Sequence, residues 1–149
     1  MKTITLDNLK NIDLQGIIGV IANKQLTDRK YFVVLESIKV KLSNGYVVTI
    51  PKDFSFDGSS TPKLLEWLFP RYGAFIFAAL IHDWLYVTDY LRDDIGMRDA
   101  QLFADKEMLT WSLKMNNKSI FNNIDNYIRY YTVRLFGKSV YKRRNSKYK

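Results

Sequence analysis

His82 is the only histidine in a chain of 149 residues that contains no cysteine. Any imidazole chemistry must therefore use this one ring, and thiolate nucleophiles, thiolate metal sites and disulfide scaffolds are excluded. The ring lies in Ala78-Ala79-Leu80-Ile81-His82-Asp83-Trp84-Leu85-Tyr86, where two strongly polar groups interrupt an apolar run. Left unpaired in a core, each would cost roughly 2 to 7 kcal/mol, so both need partners. Tyr86 shares a helical face with His82 at the i, i+4 spacing. Asp105, beside Ala104 and near Met108, and Asp57, in a polar loop, are the acids able to reach the pair.

Two chemistries fit this set. His82 could serve as general base, oriented by Asp105 or Asp57, while Asp83 holds a hard cation or aligns a water, the minimum for hydrolysing a lipid or cell-wall bond. The same residues could instead close into a buried hydrogen-bond network that pins the Asp57 loop against the helix and fixes one bundle arrangement. The second is the expectation adopted from the sequence, and it calls for no cofactor and no metal.

The elements that must position these residues are legible from pattern. Ile17 to Ile21, then Tyr31 to Leu35 with Ile38, Val40 and Leu42, and finally Tyr46 to Ile50 are rich in β-branched and aromatic types and read as three strands. Ser43-Asn44-Gly45 predicts a hairpin joining the last two runs. Pro51 ends the ladder, and residues 53–62 have loop composition. Beyond them the spacing turns helical: a first helix from Pro62 to before Pro70, a second over 72–86 that is apolar on nearly every side, a third over 97–115 and a fourth over 119–136 closing at Gly137. The third carries Met97, Ala100, Ala104, Met108, Trp111 and Met115 on one stripe. The fourth carries Ile120, Ile124, Tyr127, Ile128, Tyr131 and Leu135 in the same manner. The fold class is α+β, a small N-terminal antiparallel sheet followed by a bundle of about four helices, with 1–137 as one globular domain and 138–149 as a basic tail.

A composition of 47% hydrophobic and 26% charged residues excludes disordered and low-complexity classes. Asp7, Lys10 and Asp13 interrupt the N-terminal segment, which predicts no secretory signal and synthesis in a cytoplasm. The most apolar stretch runs eight residues, from Ala74 to Ile81, too short for a membrane span. The net charge of +8 resides entirely in residues 126–149, where Arg129, Arg134, Lys138, Lys142, Arg143, Arg144, Lys147 and Lys149 meet no acid. Interleaved with five tyrosines, they suit packaged DNA or an acidic protein surface.

Taken together, Phe54-Ser55-Phe56-Asp57-Gly58-Ser59-Ser60-Thr61-Pro62, the Ala78 to Tyr86 helix, Ala104-Asp105 and Val133-Arg134-Leu135-Phe136-Gly137 resemble a tailed-bacteriophage family, the domain of unknown function numbered 1353. Its members carry an Asp-Gly-x-Ser-x-Pro loop, an Ala-Leu-x-His-Asp-x-x-Tyr helix and an Ala-Asp helix in this order, and here Phe56 and Ser59 replace the more usual Thr and Ala of the loop. The resemblance implies a phage or prophage origin, other phage structural proteins as partners, a virion location after synthesis in the host cytoplasm, and buried roles for Asp57, Ser60, His82, Asp83, Tyr86 and Asp105. The His-Asp-x-x-Tyr helix is also similar to that of secreted phospholipases A2, which implies His82 as base, Asp83 as calcium ligand and Asp105 as the residue orienting the base. That family ties its helix with cysteines and faces it with a glycine-rich loop, whereas this chain offers only Tyr72-Gly73 nearby. Histidine-aspartate metal phosphohydrolases are disfavoured because they require a second histidine.

Overall fold

The computed structural model describes residues 1–22, 30–56, 75–115, 127–128 and 130–135. The chain divides into two compact units, Met1–Gly58 and Ser59–Lys149, with the boundary inside the polar loop read from the sequence.

Among its described residues the first unit is all β apart from two short 3-10 turns, Leu9–Asn11 and Leu14–Gly16. Its strands are β1 (Thr3–Ile4), β2 (Ile18–Ala22), β3 (Lys30–Val34), β4 (Ile38–Lys41), β5 (Val47–Ile50) and β6 (Ser55–Phe56). The single antiparallel sheet of three strands expected from the sequence is instead two three-stranded sheets, ordered β1-β4-β5 and β2-β3-β6. Moreover, β1 runs parallel to β4. The difference has a physical origin: β1 and β6 are two residues each, too short to carry a period-2 signal, and they become strands only by adding to an existing edge.

The hairpin forms where the turn residues place it. Gly45 takes φ +87°, a left-handed conformation open to glycine, and its N–H donates to Leu42 O at 3.0 Å. Asn44 Oδ1 accepts from the Tyr46 amide at 3.1 Å, locking the reversal. The resulting register sets Ile38 opposite Ile50 and Val40 opposite Val48, all buried, with Lys39 and Lys41 exposed between them. In the other sheet Phe32 packs on Phe56 with ring centroids 5.5 Å apart.

The second unit contains α1 (Phe75–Val87), α2 (Arg92–Ile95), α3 (Met97–Met115) and helical residues 127–128 and 130–135. The expected third helix matches α3 at its start and over its described residues, Met97–Met115. The expected second helix matches α1 over its described part, and α1 is buried on nearly all sides as its composition requires. The expected first helix, and the start and end of the fourth, lie outside the described residues. Helices α1 and α3 run antiparallel, since Phe77 meets Trp111, His82 meets Asp105 and Tyr90 meets Phe103.

The corner between them is tight. Asp89 and Leu91 adopt φ +54° and +63°, and Gly96 takes φ +88° with ψ 162° between α2 and α3. That last conformation is essentially restricted to glycine, and Gly96 O also accepts the first bond of α3 from Ala100. Gly96→Ala is therefore expected to cost about 1 to 3 kcal/mol in urea unfolding although nothing lies within 4 Å of the added Cβ. An unchanged unfolding midpoint would remove the backbone argument.

One expected face is overturned. The fourth helix was expected to bury Tyr127, Ile128, Tyr131 and Leu135, yet these are exposed, and Thr132 and Val133 are buried instead. Periodicity identifies a stripe without saying which stripe faces inward, and here the inward residues are Thr132 and Val133, while the guanidinium of the partly exposed Arg134 reaches a buried carboxylate.

Candidate functional site

The site lies within the second unit, between α1 and α3. Helix α1 presents His82 and, one turn later, Tyr86; α3 presents Asp105 from the stripe of Ala100, Ala104 and Met108 that packs inward. The bond network closes on Asp105. His82 Nε2 lies 2.7 Å from Asp105 Oδ1, and Tyr86 donates its hydroxyl to the same oxygen at 2.6 Å. The second oxygen, Oδ2, accepts from Arg134 Nη1 at 2.9 Å. His82 Nδ1 faces Asp83 Oδ1 at 3.5 Å, a long contact, with Asp83 partly exposed. The His82 and Tyr86 rings pack with centroids 4.0 Å apart.

Asp105 and the His82 ring are sealed, at 0% and 1% exposure. Burial is the largest influence on the ring and opposes its charge. Hydrogen bonds and charges from Asp105 and Asp83 outweigh it together, and the His82 pKa is pushed up from 6.5 to about 9. The ring is accordingly doubly protonated near neutrality, with an N–H for each carboxylate. Burial, and then the negative charge of Asp105, raise the Tyr86 pKa, so its hydroxyl stays a donor. Two carboxylates thus face two cations, the arrangement that makes buried charge tolerable.

Of the residues nominated from sequence, His82, Asp83, Tyr86 and Asp105 are brought together. Asp57 and Ser60 lie outside the described residues, as do Lys138, Lys142, Arg143, Arg144, Lys147 and Lys149; nothing of the Arg129 side chain is described. Arg134, expected among the tail cations that meet a partner, places its Nη1 on Asp105 Oδ2 at 2.9 Å with its side chain 28% exposed. A charge run gives no sign of which cation turns inward, although the Val133 to Gly137 run that contains Arg134 was already part of the family resemblance. Sequence reasoning also missed Gln101, buried one turn before Asp105, and Glu107, buried with its Oε2 accepting from Trp111 Nε1 at 2.9 Å.

As a chemical device the cluster holds a proton. A general base needs a free lone pair near the working pH, and a ring with pKa about 9 has none to offer at pH 7. Among the described residues no group of three or more acidic or histidine side chains is placed to hold a metal ion. No helix among them is long and apolar enough to cross a membrane.

No curated protein and no solved structure matches the chain. A family model does, over residues 32–122, more than half of the chain and spanning β3 through α3 with the His82, Tyr86 and Asp105 constellation. The chain belongs to the family described as protein of unknown function (DUF1353).

Proposed function

We propose that the chain is a bacteriophage structural or interaction protein of the virion, in which the His82 cluster is internal architecture and the basic C-terminal segment meets other phage proteins or packaged DNA. The carrying observation is the closure of the cluster: a ring 1% exposed with each nitrogen directed at a carboxylate. Such a network ties α1, α3 and the helical residues 130–135 into one arrangement. The phage setting is supported by the order of the loop, His-Asp-x-x-Tyr, Ala-Asp and Val133 to Gly137 motifs. With Arg134 engaged by Asp105, the cations left for a partner are Arg129 and the six lysines and arginines from Lys138 onward. Mass spectrometry of purified particles is expected to find the chain at fixed stoichiometry; its absence from particles would end this reading.

One observation favours a second reading. His82 Nε2 bonded to Asp105 with Tyr86 on the same oxygen, and Nδ1 turned toward the partly exposed Asp83, is the arrangement that the phospholipase A2 likeness requires. A small lipid hydrolase would use Nδ1 toward water after losing its proton. Hydrolysis of phospholipid esters by the full chain, abolished in His82→Ala, would establish it, and an unchanged rate in that variant would eliminate it.

A further inference from the structure

The sheet that carries the hairpin ends on an open edge. In the order β1-β4-β5 the last strand has β4 on one side and, among the described residues, no strand on the other. Leu42 donates its N–H to Tyr46 O at 2.8 Å, which makes Val40/Val48 and Ile38/Ile50 the further hydrogen-bonded pairs of this ladder. The N–H and C=O groups of Val47 and Thr49 consequently point away from β4. The devices that usually blunt an edge are missing from the strand: Tyr46 to Ile50 holds no charge and no proline, and Tyr46 and Val47 are 65% and 51% exposed. On the outer face of the sheet Lys41 stands beside Val47 and Lys39 beside Thr49. Both lysines are exposed, and among the described residues neither has an ion-pair partner.

We propose that the β5 edge takes up an extended segment of a partner protein as a further strand, with carboxylates on alternate residues of that segment. The main chain of Val47 and Thr49 supplies the ladder, and the lysines supply the selection. Residues of the added strand that share the face of Val47 and Thr49 lie across β5 from Lys41 and Lys39, about 10 Å away, a gap that a lysine and a glutamate side chain span between them. Residues of the opposite parity fall on the side of Val48 and extend the buried apolar face of Ile38, Val40, Val48 and Ile50. The segment that fits therefore alternates acidic and apolar residues. A second copy of β5 would satisfy the ladder but brings no carboxylate, and it would set the lysines of both copies in the same cross-strand rows. Nucleic acid would meet the lysines but has no strand to add to the edge.

This inference concerns the first unit alone and is independent of the role of the His82 cluster, and its test reads neither particles nor hydrolysis. The full chain is titrated, up to about 1 mM, with a labelled peptide of about six residues alternating glutamate and valine, and with its counterpart carrying lysine for glutamate. Fluorescence anisotropy is expected to show binding of the acidic peptide only, weakening as salt is raised. Amide exchange at Val47 and Thr49 is expected to slow at least about tenfold in the bound state. Lys39→Glu/Lys41→Glu is expected to bind the acidic peptide at least about tenfold more weakly with an unchanged melting temperature, since both side chains are exposed. Thr49→Pro removes an outward N–H without touching the ladder to β4 and is expected to weaken binding as well; should it fail to fold, the lysine variant carries the test. The proposal is overturned if the chain ignores the acidic peptide, if the basic peptide binds equally well, or if the lysine variant binds as the wild type does. It is equally overturned if the Val47 and Thr49 amides stay unprotected at saturation, or if the chain is a dimer that Thr49→Pro separates, which would give the edge to a second copy.

Discussion

Asp105→Ala is expected to lower the unfolding free energy by about 3 to 5 kcal/mol, the cost of removing one side of a buried charge cluster. Three donors lose their acceptor at once: His82 Nε2 and the Tyr86 hydroxyl on Oδ1, and Arg134 Nη1 on Oδ2. No water reaches the vacated position easily, because Asp105 is fully buried and the ring is 1% exposed. Positive charge on His82 and Arg134 would remain, with Asp83 the one other described carboxylate on the ring. Asp105→Asn separates geometry from charge. Its carbonyl can keep the bonds from His82 and Tyr86, but its amide then points a donor at Arg134, so a smaller loss than for alanine is expected. Urea unfolding of both variants measures the difference. A loss below about 1 kcal/mol in Asp105→Ala would place Asp105 among ordinary surface-type hydrogen bonds and dismantle the cluster as architecture.

How much of this was legible in the sequence differs by element. The Ser43-Asn44-Gly45 turn and its flanking alternation specify a hairpin and register locally, because glycine at positive φ and a period of two are properties of a few adjacent residues. Helix α3 was legible over its described length, since its stripe of small and large apolar residues is long enough for the period to be unambiguous. Strands β1 and β6 and the four-residue α2 were not: their structure is imposed by neighbours, and Leu91 and Asp89 at positive φ carry no turn signature. In the site, His82 and Asp105 stood out as polar residues on apolar helices, and the demand for partners was met between them. Arg134 was hidden because its role depends on a carboxylate 29 residues away, where charge composition is blind. The C-terminal helical residues bury Thr132 and Val133 and expose Tyr131 and Leu135, against the hydrophobic pattern.

The proton held by His82 makes stability depend on pH in a defined window. Its folded pKa, about 9, lies above the value of 6.5 expected unfolded, so the contribution is fully present below pH 6.5 and is lost as pH rises through 9. A shift of this size corresponds to about 3 kcal/mol, lost progressively over that interval. The chain has no cysteine and no other histidine to share this window. Tyr86, with its pKa raised by burial and by Asp105, remains a neutral donor throughout. Urea midpoints measured from pH 6.5 to 9.5 are expected to fall steadily in the wild type. In His82→Ala the curve is expected to start lower and run nearly flat, because the group that unloads its proton is gone; Asp105→Asn, with one of the two carboxylates neutralised, is expected to fall between them. A flat wild-type curve would mean that the ring is neutral when folded. Nδ1 or Nε2 would then carry a free lone pair at pH 7, and the general-base reading would regain the chemistry that the held proton denies it.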